Sequence, residues 1–304
     1  MPSDRQRPNR SRKMRLAIFC IVANNLVSIG NAQTNIPIWP DLAPGETSRE
    51  TGTLQPFRAN ESPPVSRVTN IRLPTMDVFL PNNPNGTAVL ILPGGGFGKV
   101  VPDKEGSEAA PWLNRIGIAT FVLRYRTNET TPADEPPWRR PLQDAQRALR
   151  VIHSRAADWK LDENRIGVIG FSAGGHVASI LHGDCEPAYE AVDSVDQHSC
   201  RPDFSLLVYP WRVLDPKTQK LWPYIQFSKS TKPAFIVHTH DDASTSIGSV
   251  EIYSQLKRLG ISAELHIYEN GGHGYGMRSV EGSNISDWQA AANNWLIRRG
   301  LGTE

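Results

Sequence analysis

The sequence has few cysteines, no internal repeat, no low-complexity tract and no long apolar run after residue 30. Without a repeat it is not a solenoid, in which each short unit stacks on a similar neighbour. A helix that crosses a membrane needs about 20 apolar residues, so we expect no stable membrane insertion of the main body. Hydrophobic residues make up 39% of the chain and charged residues 21%, as in ordinary soluble domains.

The first 32 residues are predicted to be a signal peptide. Six basic side chains precede an apolar segment at 16–29, and small residues follow it at 30–32. Signal peptides have their segments in this order. We expect cleavage near Ala32 and a secreted or periplasmic protein. The cleaved segment carries six basic residues and one acid, so the net charge would change from +2 to −3. This charge does not suggest a nucleic-acid partner.

Cys185 and Cys200 are the two cysteines outside the predicted signal. An even number of cysteines in an oxidising compartment predicts a disulfide between them. It would close a loop of about 15 residues and stabilise the fold by about 3 kcal/mol in the loop-entropy description. Two unrelated free cysteines are the alternative.

Strand-like and helix-like segments alternate through most of the chain. Residues 33–75 are rich in Pro, Asn, Ser and Thr and are predicted to form an extended arm on the domain surface. Beyond it, short apolar runs are each followed by an amphipathic segment, such as the predicted helices at 105–115 and 138–159. We predict one α/β domain over 76–304, with a mostly parallel sheet covered by helices on both faces.

Ser172 lies in the motif Gly170-Phe171-Ser172-Ala173-Gly174, between a predicted strand and a predicted helix. A serine on such a tight turn exposes its hydroxyl and points the next N–H toward whatever the hydroxyl attacks. The pattern alone is weak, and an ordinary glycine-rich turn is the alternative. Its place between a strand and a helix predicts a nucleophile.

A serine nucleophile needs a base and a group that orients the base. We assign the base to His273, which follows the last predicted strand in a glycine-rich loop. The acid should follow the strand that ends near residue 238, where Asp241 and Asp242 both qualify. We favour Asp242, with Asp241 bonding the turn, and Asp215 is a weaker candidate. The chain order serine, acid, histidine is one that serine hydrolases use.

Three consecutive glycines, Gly94 to Gly96, directly follow an apolar strand. The N–H groups of Gly95 and Gly96, together with that of Ala173, are predicted to bind the oxyanion of an acyl-transfer reaction. A phosphate-binding loop is the alternative. The sequence lacks both the G-K-[ST] continuation and the G-x-G-x-x-G spacing that such loops need.

Other histidines and tryptophans are interpreted as structural. Four histidines lack the spacing to cysteines or carboxylates that zinc sites have, so no metal site is predicted; they are His176, His182, His238 and His240. Four tryptophans are taken as core or rim residues rather than a sugar platform: Trp112, Trp138, Trp211 and Trp222. Of these, Trp211 follows a strand end where a wall of a substrate site would lie.

Taken together, these motifs resemble the α/β-hydrolases of the secreted acetyl-xylan-esterase-like group, related to feruloyl-esterase (BD-FAE-type) and hormone-sensitive-lipase-type enzymes. The resemblance rests on the glycine loop and the serine motif and on further segments: Lys104-Glu105-Gly106, Leu123-Arg124-Tyr125-Arg126, Asp144-Ala145 with Arg147-Ala148, and Gly271-Gly272-His273-Gly274. The sequence departs from many lipase-like relatives at Pro93, where they have histidine. It also departs after Asp242, where they often continue with Val-Pro.

The resemblance implies a secreted serine esterase that acts through an acyl-enzyme and requires no cofactor. Its expected substrate is a short acyl ester, above all acetyl, on a polysaccharide such as xylan. A serine peptidase of the prolyl-oligopeptidase type is one alternative, although 304 residues leave little room for the propeller domain such peptidases usually carry. A non-catalytic polysaccharide-binding relative is the other, and the presence of all three triad residue types argues against it.

Overall fold

The computed structural model describes residues 32–183 and 186–304. The predicted signal peptide, except Ala32, and the predicted disulfide partner Cys185 lie outside the described residues. In the part that is described, no helix is both long enough and apolar enough to cross a membrane.

A central sheet of eight strands organises the described chain. The strands are, in chain order, β1 (Ala32–Pro37), β2 (Thr51–Leu54), β3 (Val68–Ile71), β4 (Thr75–Phe79), β5 (Ala88–Leu92), β6 (Ala119–Arg124), β7 (Ile166–Phe171), β8 (Ser205–Val208), β9 (Ala234–Thr239) and β10 (Ala263–Tyr268). Their order across the central sheet is β1-β4-β6-β5-β7-β8-β9-β10, while β2 and β3 form a separate antiparallel pair. β4 runs antiparallel to both of its neighbours, β1 and β6, and the other neighbouring strands of the central sheet are parallel to each other. The predicted mostly parallel sheet is confirmed.

Helices cover both faces of this sheet, because its apolar strands present buried side chains on each side. The helices are α1 (Ala110–Arg115), α2 (Arg139–Ser154), α3 (Ala173–His182), α4 (Ile247–Leu259) and α5 (Trp288–Arg298). Side chains of α2, α3 and α4 share one apolar core with the sheet, and those of α1 and α5 share another. The predicted single-domain α/β fold is confirmed.

Two predicted helices are shorter in the structure. The segment predicted as a helix at 105–115 begins as turns and a 3-10 segment, Ser107–Ala109, before α1. Pro111 is the second residue of α1. Proline fits in the first turn of a helix because the N–H that it lacks would have no partner within the helix. The helix predicted at 138–159 ends at Ser154 in the structure. Lys160, just beyond the predicted end, has a positive φ of 56°, a backbone conformation that does not continue a helix.

The predicted arm at 33–75 is more closely joined to the domain than its composition suggests. Its first described residues form β1, which pairs with β4 at the edge of the central sheet. Behind this strand Ile38 and Trp39 are buried. Farther along, Val68 and Val100 exchange two backbone hydrogen bonds of 2.9 and 2.8 Å. The arm therefore contributes to the core and reaches the loop that follows β5.

A buried ion pair joins the arm, β6 and α2. Arg126 and Asp144 have fully buried side chains, and the guanidinium Nε of Arg126 donates to both carboxylate oxygens at 3.0 Å. The backbone N–H of Arg126 and the indole N–H of Trp39 also donate to Asp144, each at 2.9 Å. One carboxylate on α2 thus satisfies donors from two other segments, the arm and the residues after β6.

We predict that Asp144→Ala lowers the free energy of unfolding by about 3–5 kcal/mol, because it leaves a buried guanidinium without its carboxylate. Urea denaturation followed by circular dichroism measures this loss. Asp158→Ala is the matched control, since Asp158 pairs with Arg155 on the surface with 63% of its side chain exposed, and such pairs contribute at most about 1 kcal/mol. Equal losses in the two variants would contradict the assignment.

Candidate active site

Ser172 lies at the sharp turn between β7 and α3, with φ 54° and ψ −116°. Two glycines make this turn possible. A Cβ on Gly170 would lie 2.4 Å from the carbonyl oxygen of Gly174, and one on Gly174 would lie 2.0 Å from that of Leu92. The strand, the helix and the loop after β5 therefore approach one another closely enough to hold a serine in a conformation that non-glycine residues rarely adopt.

The structure brings Ser172, His273 and Asp242 into one hydrogen-bonded chain. The Oγ of Ser172 lies 2.7 Å from Nε2 of His273. The Nδ1 of the same imidazole lies 2.6 Å from Oδ2 of Asp242. In this arrangement the serine hydroxyl donates to Nε2 of the imidazole, and the Nδ1–H of the same imidazole donates to the carboxylate. This is the arrangement of a serine-histidine-acid triad.

Asp242 is held ionised by the groups around it. His238 Nε2 donates to its Oδ2 at 2.9 Å, and the N–H of Ser244 donates to its Oδ1 at 2.6 Å. Burial alone would raise the pKa of Asp242, but the hydrogen bonds from His238, His273 and Ser244 hold this pKa well below its usual range. The ionised carboxylate can therefore orient the imidazole and stabilise a positive charge on it throughout the neutral pH range.

Asp241 has a different position. It is exposed, and its two carboxylate oxygens accept the N–H groups of Gly271 and Gly272 at 3.1 and 2.9 Å. It thus fixes the glycine loop that precedes His273. Asp215 accepts from the backbone N–H of Lys217 in its own turn. Of the three candidate acids, Asp242 is the one that contacts the imidazole, and Asp241 bonds the loop before His273.

The glycine loop after β5 lies beside Ser172. Gly95 has φ 134°, and a Cβ there would lie 2.1 Å from the carbonyl oxygen of Lys99, so the loop requires glycine at this position. In the described part of the chain, the N–H groups of Gly95, Gly96 and Ala173 donate to no other protein group. The three predicted oxyanion donors are therefore free to bind a ligand.

Glu105 is a buried carboxylate that the sequence patterns did not single out as a site residue. Its Oε2 accepts the N–H of Gly94 at 3.0 Å, and its Oε1 accepts the hydroxyl of Tyr209 at 2.8 Å. That hydroxyl in turn accepts the N–H of Gly276 at 2.9 Å. Burial raises the pKa of Glu105, while these donors and the charges of His273 and Lys104 act in the opposite direction. Glu105 thus links the glycine loop to the loop that carries His273.

His238 is a second buried residue of the site that the sequence patterns did not single out. We interpreted it as a packing residue, but it is fully buried between Asp242 and Ser249, whose hydroxyl lies 2.8 Å from Nδ1. Its position four residues before Asp242, at the end of a strand, is the signal that could have indicated this contact. The imidazole keeps the carboxylate aimed at His273.

The remaining histidines have structural positions. His176 and His182 are buried, and burial lowers the pKa of each to about 4, so both are neutral near pH 7. His176 bonds the carbonyl oxygen of Trp211 at 2.9 Å. His240 is exposed. Among residues 32–183 and 186–304, no three histidine, cysteine or carboxylate side chains are arranged to hold a metal ion.

Two cavities meet beside Ser172. The first, of about 420 Å³, is lined by Ser172 and His273 together with charged side chains. The second, of about 630 Å³, is lined mainly by aromatic side chains: Phe97, Trp138, Trp211, Trp222 and Tyr224. Gly96 and Trp211 line both. Trp222 and Tyr224 stack with their ring planes within 8° of parallel. Trp112, in contrast, is buried against Trp288 in the core.

Cys200 is buried, and its Sγ accepts a hydrogen bond of 3.8 Å from Arg150. It has no disulfide partner within the described residues. Because its predicted partner Cys185 lies outside them, the disulfide stays a prediction.

Two family models match the sequence. The BD-FAE model matches residues 76–194, and the model of the prolyl oligopeptidase family matches residues 140–299, which are more than half of the chain. The chain belongs to the prolyl oligopeptidase family of α/β-hydrolases. The resemblance to BD-FAE-type and acetylxylan-esterase-like α/β-hydrolases, inferred from the motifs, is confirmed.

Known relatives include an acetylxylan esterase and a xylanase. An acetylxylan esterase of Xylanibacter ruminicola is 31% identical over 225 residues, which are 66% of this chain and 43% of that protein. Endo-1,4-beta-xylanase B of Butyrivibrio fibrisolvens is 27% identical over 222 residues, which are 66% of this chain and 34% of that protein. The chain spans less than half the length of these two relatives.

A solved structure matches nearly the whole chain. The acetyl ester-xyloside bifunctional hydrolase of Caldicellulosiruptor lactoaceticus is 29% identical and superposes with a TM-score of 0.67. The match covers 91% of this chain and 99% of that one.

We predict that Asp242 contributes to acid stability. Because its pKa is lower in the folded state than in the unfolded chain, its contribution is present above about pH 4 and is lost as the pH falls further. Between pH 5 and pH 3, the wild type should therefore lose more free energy of unfolding than Asp242→Asn, by about 1 kcal/mol. Urea midpoints measured across this range test the difference, with Asp215→Asn as control. Parallel curves for wild type and Asp242→Asn would contradict it.

Proposed function

We propose that the protein is a secreted serine esterase that hydrolyses short acyl esters, acetyl above all, on a xylan-like polysaccharide. The chain of hydrogen bonds from Ser172 through His273 to Asp242 is the observation that supports this proposal most directly. The acetylxylan esterase of Xylanibacter ruminicola and the acetyl ester-xyloside hydrolase of Caldicellulosiruptor lactoaceticus support the substrate class.

In the first half of the reaction, the Oγ of Ser172 attacks the ester carbonyl carbon while Nε2 of His273 accepts the hydroxyl proton. The carbonyl oxygen becomes an oxyanion, and the N–H groups of Gly95, Gly96 and Ala173 stabilise its charge. The tetrahedral intermediate then breaks its bond to the alcohol oxygen. His273 returns the proton to that oxygen, so the sugar hydroxyl leaves neutral and the acyl group stays on Ser172.

In the second half, a water molecule takes the place of the alcohol. His273 accepts one proton from the water as its oxygen attacks the acyl carbon. The second tetrahedral intermediate then releases Ser172, which regains the proton from His273, and the free carboxylic acid leaves. Asp242 stays ionised throughout and stabilises the imidazolium that forms in each half. No cofactor enters either half.

The aromatic cavity supports a sugar-bearing substrate. Aromatic rings offer broad apolar faces with polar edges, and Trp138, Trp222 and Tyr224 form one continuous cluster in which Tyr224 contacts both tryptophans. Trp211 connects this cluster to the cavity that holds Ser172. We therefore assign the aromatic cavity to the sugar chain, which replaces the interpretation of Trp138 and Trp222 from the sequence as core or rim residues.

The rest of the proposal concerns the mature protein. Cleavage near Ala32 would release a chain that begins at the edge strand β1 and has its catalytic domain over 76–304. Export would place Cys185 and Cys200 in an oxidising compartment, where the disulfide between them could form.

Ser172→Ala tests the reaction directly. We expect it to lower kcat for p-nitrophenyl acetate and the rate of acetate release from acetylated xylan by at least about 10⁴-fold, since the nucleophile is lost. Wild-type rates on both substrates no faster than those of the variant would refute the esterase. The family membership makes peptide hydrolysis the second candidate, so a prolyl p-nitroanilide is assayed in parallel. Faster Ser172-dependent cleavage of the anilide than of the esters would favour a peptidase.

The two neighbouring aspartates give a matched pair. Asp242→Asn should lower kcat by about 10²–10⁴-fold, because the amide no longer fixes the imidazole tautomer or stabilises its charge. Asp241→Asn should lower kcat by less than about tenfold, since Asp241 bonds the loop rather than the imidazole. Steady-state kinetics on p-nitrophenyl acetate measure both. The reverse ranking would move the acid to Asp241.

Glu105 acts as a positioning residue in this proposal. Both of its partners, the Gly94 N–H and the Tyr209 hydroxyl, are donors, so the ionised carboxylate fits them and a glutamine would turn an N–H toward one of them. Gly94 directly precedes the oxyanion donors, and Tyr209 contacts the ring of His273 with centroids 5.1 Å apart. Glu105 thus contacts the loops on both sides of Ser172.

We predict that Glu105→Gln lowers kcat about tenfold, because a glutamine N–H would face one of the two donors that Glu105 now accepts and would displace one of the two loops. Glu251→Gln is the control, because it makes the same change on α4, away from both loops, and its kcat should match that of the wild type. Steady-state kinetics on p-nitrophenyl acetate measure both variants. An unchanged kcat in Glu105→Gln would contradict the positioning role.

A further inference from the structure

The N-terminal arm supplies one wall of the cavity that holds Ser172. Arg58, Glu61, Val65 and Arg67 line this cavity opposite the glycine loop. The arm is fastened there, because Arg278 donates to the carbonyl oxygens of Pro63 and Pro64 at 2.6 and 3.0 Å while also pairing with Glu108. The wall is therefore a fixed part of the cleft.

This cavity collects positive charge. Four cationic side chains line it, two from the arm and two from the segment after β5: Arg58, Arg67, Lys99 and Lys104. The lining carboxylates are Glu61 and Glu105. Beyond the predicted signal peptide the whole chain has a net charge of −3, so the cluster is a local feature and does not reflect a basic protein.

The two carboxylates do not neutralise the cluster. Glu61 is engaged by Arg67, whose two terminal nitrogens lie 2.8 and 2.5 Å from its oxygens, with Arg58 at 3.8 Å. Glu105 is buried and bonded to Tyr209 and Gly94. Within the described residues, no carboxylate oxygen lies within 4.0 Å of the ammonium of Lys99 or Lys104. Asp103 nearby accepts backbone N–H groups of Ser66 and Lys104.

Hydrolysis of a neutral acetyl ester gives these cations no role. The oxyanion has its own N–H donors, and the acyl group is uncharged. A cluster of exposed and half-buried cations beside the nucleophile instead matches a negative charge on the alcohol part of the substrate. We propose that Lys99, Lys104 and Arg58 form a subsite for an anionic group, a carboxylate or a sulfate, on or next to the sugar that carries the acyl group. This inference rests on the proposed esterase function.

Three matched substrates test the subsite: O-acetylated xylobiose, an O-acetylated disaccharide of glucuronic acid and xylose, and O-acetylated xylobiose sulfate. At about 20 mM ionic strength the wild type should show a kcat/KM about tenfold higher for at least one anionic substrate than for the neutral one. The ratio should fall to about twofold in Lys99→Gln/Lys104→Gln and should also fall in 0.3 M NaCl, where exposed charges are screened. Lys257→Gln, an exposed lysine on α4, is the control and should keep the wild-type ratio.

Each outcome bears on the subsite separately from the esterase. A preference for the uronate or for the sulfate that depends on the two lysines supports the subsite and identifies its anion. Equal kcat/KM on all three substrates, or a preference that persists in the double variant, overturns it. In those cases the esterase proposal still stands as long as hydrolysis of the neutral substrate depends on Ser172. If Ser172-dependent hydrolysis is absent for all three substrates and also for p-nitrophenyl acetate, the proposed function itself is refuted.

Discussion

The strained backbone at Ser172 is the constraint on which the site is built. A serine at φ 54° costs about 1–3 kcal/mol that surrounding contacts must offset. Its N–H donates to Val208, and its carbonyl oxygen accepts the N–H groups of His176 and Trp211, all at 3.0–3.1 Å. The turn is thus fixed by β8, α3 and the loop after β8 together. Ser172 can hold its unusual conformation only in the complete fold.

The parallel strands then bring the other groups to the same edge. Ser172 follows β7, Tyr209 follows β8, Asp242 lies three residues after β9, and His273 lies five residues after β10. These four strands are adjacent and in register in the sheet. Because parallel strands place their carboxyl ends on one side, chain order alone indicates which loops meet, and the sequence could therefore predict the serine, histidine and acid by position.

The sequence is less informative about side chains whose hydrogen-bond partners come from other parts of the fold. Periodicity placed Glu105 at the start of a helix, whereas the structure buries it in a turn because two separate loops each offer it a donor. From the sequence, His238 is interpreted as a packing residue, because the neighbouring sequence does not show that its ring contacts Asp242. The arm had no periodicity, yet it forms an edge strand and a wall of the cleft. Such roles depend on tertiary contacts, which a linear pattern does not contain.

The two cavities beside Ser172 differ in the physical forces they offer to a substrate. On the aromatic side, stacked rings provide broad apolar contact that depends little on salt. On the arm side, charges act over several ångströms and are weakened by salt. Gly96 and Trp211 belong to both sides, so a substrate that spans the cleft must pass the glycine loop. An ester bond on that substrate is then held next to Ser172 by contacts made on either side of it. Binding energy from the parts that do not react can in this way position the carbonyl that does.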